Sequence, residues 1–294
     1  SHRIQRIRQY MQSNGLSACV LSSPENMQYL SGFQAITYSR PIFFVIEEAT
    51  THLIIPALEE HHAHLESTGV EQLHVYYEHP EKLMIAASAV DCLKKILPPH
   101  AAIGVEYRNI SYGFAGMLME LGERLHDISP LLTQMRFVKD EEELSYIREA
   151  GRLCQYAFSK AIENARPGIS EMEFEQHATE ALFEIVGHDY PYQFSSPSCI
   201  TPSGAARTVM PHVYSSTRKF EEGDVVIHVR KPAINGYYGE LERTFFIGRP
   251  KEKARKAFCA MVEAQQAVFD LVKPGVTAAQ LDKAGRDVLR KYGY

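Results

Sequence analysis

Several signatures of common chemistry are missing from this sequence of 294 residues. It has no HExxH zinc motif, no GxSxG nucleophile motif and no glycine-rich phosphate loop. Its five cysteines form no CxxC pair, so neither a zinc ribbon nor a dithiol redox site is indicated. No apolar run approaches the roughly 20 residues that a membrane-spanning helix needs. What remains is the composition of a globular protein, with 45% hydrophobic and 23% charged residues.

Charge and cysteine usage restrict the expected partners and compartment. The formal net charge of −5 argues against a nucleic-acid surface and against a membrane-surface role. Residues 1–12 have the pattern of an amphipathic helix and lack the apolar core of a signal peptide. Cys19 and Cys259 lie within apolar patterns, and the number of cysteines is odd. These features predict a cytoplasmic protein that binds neither nucleic acid nor membrane.

The first 132 residues alternate short apolar strands with helices. The spacing of apolar residues predicts five strands, at Ala18–Leu21, Pro41–Ile46, Thr51–Ile55, Leu73–Tyr77 and Ala102–Val105. It predicts longer helices over residues 3–14, 59–65, 81–96 and 111–123. This alternation predicts an α/β domain over 1–132, with a mainly parallel or mixed sheet and helices on its faces. Leu131–Arg136 is interpreted as a connector.

A second domain is predicted over 133–294. A long helix is expected from Lys139, because its first turn is acidic and complements the helix dipole. A second helix is expected after Ser170, whose hydroxyl can cap it. An irregular stretch rich in proline and serine follows, and then a β-hairpin and a further helix over Lys251–Leu271.

Two segments of the second domain repeat each other. Residues 165–182 align with residues 272–289 at a single offset, which pairs Ser170 with Thr277. The repeat predicts a duplicated αβ unit with pseudo-twofold symmetry. Because the second copy stops at Tyr294, we expect the second half of this domain to be truncated in this chain.

The hairpin spans Gly223 to Gly248 and contains the strongest turn signal of the chain. Asn235 and Gly236 both tolerate positive φ, so they favour a tight turn between two strands. Alternate side chains on the return strand share one face, and these are Tyr238, Glu240, Glu242 and Thr244. Neighbouring carboxylates are costly to bury unless they are paired or used, so this face is either solvated or a functional site.

Motifs throughout the chain resemble those of the pita-bread hydrolases, the peptidase M24 family that includes creatinase, Xaa-Pro dipeptidase and aminopeptidase P. The motifs follow the family order at Ser23–Asn26, Tyr29–Phe33, Arg136–Lys139, Pro167–Gly168, Glu222–Val226 and Pro274–Gly275. The resemblance implies a creatinase/prolidase-type N-terminal domain followed by an α+β pita-bread domain. It also implies a hydrolase that acts as a homodimer on a small-molecule substrate.

The metal ligands that the resemblance implies are incomplete in the hairpin. The family's peptidases hold two metal ions with five ligands, and the first two are aspartates that fall on Val229 and Glu240 of this chain. Valine has no lone pair, and one carboxylate does not make a dinuclear site. The sequence therefore predicts no metal. The alternative is Mn²⁺ or Zn²⁺, if a peptidase-type site is completed after Tyr294.

The segment Gly236–Thr244 is similar to the corresponding strand of creatinase, which uses no metal. The resemblance implies catalytic roles for Glu242 and for His212, which stands thirty residues before it. His212 would act as general base and then acid, and Glu242 would hold a cationic substrate group. Tyr238 and Glu240 would line the substrate pocket.

A loop of the first domain completes the expected site. Tyr38 and Arg40 resemble a creatinase loop that reaches the active site of the neighbouring subunit, where Arg40 would bind a substrate carboxylate. The leading hypothesis is a metal-independent, creatinase-like hydrolase of a C–N bond in a small amidine or amino-acid-derived compound. One alternative is an Xaa-Pro dipeptidase or aminopeptidase P-like metallopeptidase with an altered site. The other is a non-catalytic pita-bread binding module.

Overall fold

The chain folds into two compact units, Ser1–Asp140 and Glu141–Tyr294. A computed structural model describes residues 1–37, 39–77, 85–120, 124–190, 195–210 and 212–294. Each unit has its own sheet and its own hydrophobic core. The predicted fold class, an α/β domain followed by an α+β domain, is confirmed. The predicted domain boundary after residue 132 stays a prediction.

A mixed six-stranded sheet forms the centre of the first unit. Its strands are β1 (Ala18–Leu21), β2 (Phe43–Glu47), β3 (Thr51–Pro56), β4 (Gln72–Tyr76), β5 (Ala102–Val105) and β6 (Arg124–Asp127). They lie in the order β4-β3-β2-β1-β5-β6, with β1 antiparallel to β2 and parallel to β5. Val20 and Leu21 of β1 belong to apolar clusters on opposite faces, as strand alternation requires. Both faces are therefore covered, and β1 is buried along its whole length.

Six helices accompany this sheet in the described part of the first unit. They are α1 (His2–Asn14), α2 (Pro24–Ser31), α3 (Glu60–Glu66), α4 (Ile85–Ile96), α5 (Tyr112–Glu120) and α6 (Ser129–Phe137). The interpretation of Leu131–Arg136 as a connector is wrong, because these residues lie within α6. Pro130 lies in the first turn of this helix, where proline is well tolerated, and burial of Leu132 and Met135 stabilises the helix. The predicted helical residues 81–84 and 121–123 lie outside the described residues.

Helices and an antiparallel sheet make up the second unit. The helices are α7 (Glu141–Ile162), α8 (Glu171–Asp189), α9 (Glu252–Phe269) and α10 (Ala278–Lys291). The strands are β7 (Ser195–Ile200), β8 (Val225–Ile234), β9 (Tyr237–Tyr238) and β10 (Leu241–Phe246). The path across the sheet is β10-β8-β7, and β9 pairs with β8. The prediction of an irregular stretch before the hairpin is wrong for Ser195–Ile200, because these residues form β7 and pair along their whole length with β8.

The two copies of the repeat begin their helices in the same way. Gly168 and Gly275 precede α8 and α10 with φ angles of 94° and 90°. The Ser170 hydroxyl accepts a hydrogen bond from the Glu173 amide, and both helices have a complete capping box. The residues that the sequence offset pairs therefore adopt the same local structure.

Helix α7 fixes the position of the hairpin's return strand. At Gly239 a β-carbon would lie 2.6 Å from the Ala150 carbonyl carbon of α7, so this position requires glycine. The return strand is interrupted here, between β9 and β10, whereas the sequence predicts a continuous strand. Among the described residues, we find no helix that is both long and apolar enough to cross a membrane.

Candidate active site on the hairpin of the second unit

Alternation along β8 separates a buried face from an open one. Val226, His228 and Arg230 are buried, whereas Val229 is half-buried and Lys231 is exposed. The strands turn at Asn235 and Gly236, whose φ angles of 47° and 80° are those that the sequence predicts for a tight turn. The open face of β8 therefore continues onto the return strand.

Register places the polar residues of the return strand on this open face. Glu242 pairs with Val229, and Tyr238 pairs with Ala233. Glu240 and Glu242 are exposed, and Tyr238 is 49% exposed. The Nζ atom of Lys231 lies 5.3 Å from the centroid of the Tyr238 ring, a cation–π geometry. The structure thus gathers three predicted site residues on one surface, and the roles of these residues stay predictions.

The other predicted site residues lie on different elements. His212 is exposed on the segment between β7 and β8 and makes no hydrogen bond to a described residue. Arg40 lies in the first unit, half-buried, where it lines a cavity of about 340 Å³ beside Ser22 and Asn109. Tyr38 lies outside the described residues. The role of Arg40 across a homodimer is not tested by this chain and stays a prediction.

A buried carboxylate anchors the segment that carries His212. Oε1 of Glu171 accepts hydrogen bonds from the amide and hydroxyl of Ser203, at 2.8 and 2.7 Å. Its other oxygen accepts from the amide and hydroxyl of Ser216, at 2.8 and 2.9 Å. The Arg207 guanidinium donates to both oxygens at 2.9 Å. Since Ser203 and Ser216 flank His212 in the chain, one carboxylate holds both ends of its segment.

Opposing effects act on the pKa of Glu171. Burial raises it, but hydrogen bonds from Arg207, Ser203 and Ser216 favour the charged form more strongly, so the net pKa is lowered. Glu171 also occupies the first turn of α8, where negative charge complements the helix dipole. Sequence reasoning misses this cluster beyond its acidic first turn, because the partners of Glu171 lie 32 to 45 residues away along the chain.

The buried face of β8 carries a hydrogen-bonded chain of polar side chains. Arg230 Nε lies 3.4 Å from His228 Nε2, and His228 Nδ1 lies 2.8 Å from Thr201 Oγ1. A guanidinium can only donate, so Nε2 must accept and Nδ1 must carry the proton. The Thr201 hydroxyl then donates to Glu175, 3.0 Å away, which also accepts from Ser215. His228 is therefore a neutral core residue, and burial, followed by the charge of Arg230, lowers its pKa to about 3.

Three cysteines of the chain, Cys19, Cys154 and Cys199, are unsuited to nucleophilic catalysis. Burial raises the pKa of Cys154 and of Cys199 to about 11, and that of Cys19 to about 12. The thiolate is the reactive form, and at neutral pH these three thiols are protonated. Cys199 lines a cavity of about 500 Å³ with Glu175, Thr179 and Ser215. Because its thiol is protonated, it does not serve as a nucleophile in that cavity.

The residues of the open face do not fit a pair of metal ions. Val229 occupies one of the two ligand positions that the family resemblance implies for this hairpin, and only Glu240 is left at the other. Within the residues that the structure describes, no group of three or more histidine, cysteine, aspartate or glutamate side chains is placed to hold a metal. A bridged pair of hard cations needs oxygen ligands on both sides.

Comparison with known proteins identifies a class of two-domain hydrolases. Residues 3–138 match the creatinase/prolidase N-terminal domain, and residues 145–294 match metallopeptidase family M24. The chain belongs to metallopeptidase family M24. The prediction of a hydrolase of this family is confirmed.

Named relatives include both branches that the sequence indicates. The chain is 26% identical to the Xaa-Pro dipeptidase of Pyrococcus horikoshii over 297 residues, which cover 100% of this chain and 78% of that protein. It is 25% identical to creatinase of a Bacillus species over 308 residues, covering 100% of this chain and 73% of that protein. The crystal structure of the prolidase from Pyrococcus horikoshii matches with a TM-score of 0.84 and 25% identity, covering 100% of this chain and 79% of that one.

Proposed function

We propose that this protein hydrolyses the C–N bond of a small, amino-acid-derived substrate, with dipeptides that end in proline as the first class to test. The observation that carries the proposal is the pairing register of β8 and β10, which leaves Glu240 and Glu242 exposed on one face. Exposed carboxylates side by side hold an ammonium group through charge-assisted hydrogen bonds. The name Xaa-Pro dipeptidase among the relatives supports a peptide substrate over the creatinase-like hypothesis.

The reaction needs one group that moves a proton in both directions. His212 accepts a proton from the attacking water as the new C–O bond forms at the carbonyl carbon. It then returns the proton to the leaving nitrogen as the C–N bond breaks. An imidazole is suited to both steps because it can accept and donate a proton near neutral pH. Glu171 contributes by anchoring both ends of the segment that carries His212.

A metal is implied by the description of the family as metallopeptidases, which supports the alternative of Mn²⁺ or Zn²⁺ over the expectation of no cofactor. Since the hairpin does not fit a metal pair, we assign no step to a metal. Activity with and without chelator, and with added Mn²⁺ or Zn²⁺, then decides whether the reaction depends on one.

The test is release of free proline from a panel of Xaa-Pro dipeptides by the purified protein. We expect proline release that falls sharply in His212→Ala and is unchanged in His188→Ala, an exposed histidine on α8. No release from any dipeptide, with or without added metal, would overturn the peptidase proposal.

A second candidate is metal-independent hydrolysis of a guanidino acid such as creatine. Val229 favours it, because the hairpin lacks a metal ligand while Gly236–Thr244 keeps a creatinase-like sequence. It is tested by urea release from creatine, which we expect to persist in the presence of a chelator. Loss of that activity on chelation would exclude this candidate.

A further inference from the structure

The open face of the hairpin carries one positive charge among its carboxylates. Lys231 follows Val229 by two residues on β8, so both side chains lie on the same face. Leu241 pairs with Arg230, and the same register sets Glu240 opposite Lys231. An ammonium group therefore projects from the place where the family resemblance implies metal ligands.

Lys231 is available to bind a ligand. It is exposed, and its Nζ atom lies over the Tyr238 ring at 5.3 Å from the centroid. Among the residues that the structure describes, neither Lys231 nor the carboxylates of Glu240 and Glu242 form an ion pair. Tyr238 limits the directions that the lysine can take, since the cation–π contact favours one position over the ring.

The spacing of these charges matches a small zwitterion. Neighbouring strands lie about 4.8 Å apart, and alternate residues of one strand lie about 7 Å apart. An anionic group and a cationic group of one small molecule can therefore reach Lys231 and a carboxylate together. The same ammonium disfavours a divalent cation beside Val229, because like charges repel over this distance.

We propose that Lys231 is an anion-binding residue on this face of the hairpin and pairs with the carboxylate of a zwitterionic ligand whose ammonium group lies against Glu240 and Glu242. The ligand class is a dipeptide or amino acid with a free carboxylate. This inference rests on the proposed function for the choice of ligand, but the binding step is separate from turnover. Lys231 thus supplies a positive charge on the face where the family resemblance implies metal ions.

Calorimetric titration in a His212→Ala background tests the inference without turnover. The two ligands are Ala-Pro and its C-terminal amide, which differ in the carboxylate. We expect Lys231→Met to weaken Ala-Pro binding at least about tenfold. Binding of the amide should change by less than about twofold, and Lys231→Arg should retain most of the affinity for Ala-Pro. Lys256→Met, which removes an exposed lysine of α9, is the matched control and should leave both affinities unchanged.

Two outcomes would overturn the inference. The first is that the Lys231→Met protein and its parent bind Ala-Pro with the same affinity. The other is an equal loss for both ligands, which would reflect a structural change instead of carboxylate recognition. Because the readout is affinity, selective loss of Ala-Pro binding would support Lys231 even if no dipeptide is hydrolysed. Hydrolysis with unchanged selectivity in Lys231→Met would leave the proposed function standing and remove only the role of Lys231.

Discussion

Val229 and Glu242 lie directly opposite each other in the antiparallel pairing of β8 with β10. Residues paired in this way have their β-carbons about 5 Å apart, so an aspartate at position 229 would lie beside Glu242 and on the same face as Glu240, the other ligand position, close enough for these carboxylates to share a cation. We expect Val229→Asp to tighten Mn²⁺ binding at least about tenfold, a gain of about 1.4 kcal/mol. Electron paramagnetic resonance of free Mn²⁺ measures the affinity. Val229→Asn, similar in size but uncharged, is the control, and equal affinities of the wild-type and Val229→Asp proteins would contradict the assigned ligand position.

Loss of the imidazole at His212 should affect the rate far more than the fold. General acid–base catalysis contributes about 10²- to 10⁴-fold, so we expect kcat of His212→Ala to fall within that range. Its thermal midpoint should be unchanged, because His212 is exposed and makes no hydrogen bond to a described residue. A loss of activity that tracks a lower thermal midpoint would instead assign His212 a structural role.

Glu171→Gln should destabilise the second unit. The substitution removes the charge that pairs with Arg207 and replaces an acceptor oxygen with a donor that faces other donors. Breaking a buried pair costs about 3 kcal/mol or more, so the urea midpoint should fall clearly. Glu184→Gln, at an exposed position of the same helix, should change stability by less than about 0.5 kcal/mol. Similar urea midpoints for the two variants would argue against a structural role for the Glu171 cluster.

His228 should make stability depend on pH in mildly acidic solution. In the unfolded chain the imidazole takes up a proton below about pH 6.5, whereas in the native state its pKa is about 3. Between these values the unfolded state binds the additional proton. The free energy of unfolding therefore falls as pH decreases, by up to about 1.4 kcal/mol per pH unit.

Urea unfolding at pH 7, 6 and 5 measures this dependence. His228→Gln lacks the titrating group, so its stability should decline less steeply with decreasing pH, whatever its stability at pH 7. Parallel pH profiles for the wild-type protein and the variant would contradict a neutral, buried His228.

Local signals in the sequence predict much of the fold because they act over a few residues. The Ser170 cap and the Asn235–Gly236 turn each depend on neighbouring side chains and backbone preferences, and both are present in the structure. Local signals do not predict strand β7, because Ser195–Ile200 is rich in serine and contains Pro197, and both residue types are uncommon in strands. Its pairing with β8 is a long-range contact that no local pattern encodes.

Local patterns also predict one part of the candidate site, whereas the other part depends on long-range contacts. Alternation and the turn place Tyr238, Glu240 and Glu242 on one face from the sequence alone. The Glu171 cluster and the hydrogen-bonded chain from Arg230 through His228 and Thr201 to Glu175 require contacts between segments far apart in the sequence, so they emerge only from the folded structure. The position of Lys231 opposite Glu240 follows from the register of the paired strands. The turn at Asn235–Gly236 limits the possible registers, but only the structure shows which one is formed.

Both amides that donate to Glu171, those of Ser203 and Ser216, depend on one carboxylate. If the Glu171 side chain moves outward, both amides lose their acceptor at the same time. Hydrogen exchange at these two amides should therefore proceed through a single shared opening, with similar protection factors despite their separation in the chain. The segment that carries His212 is thus tied into one cooperative unit with the first turn of α8.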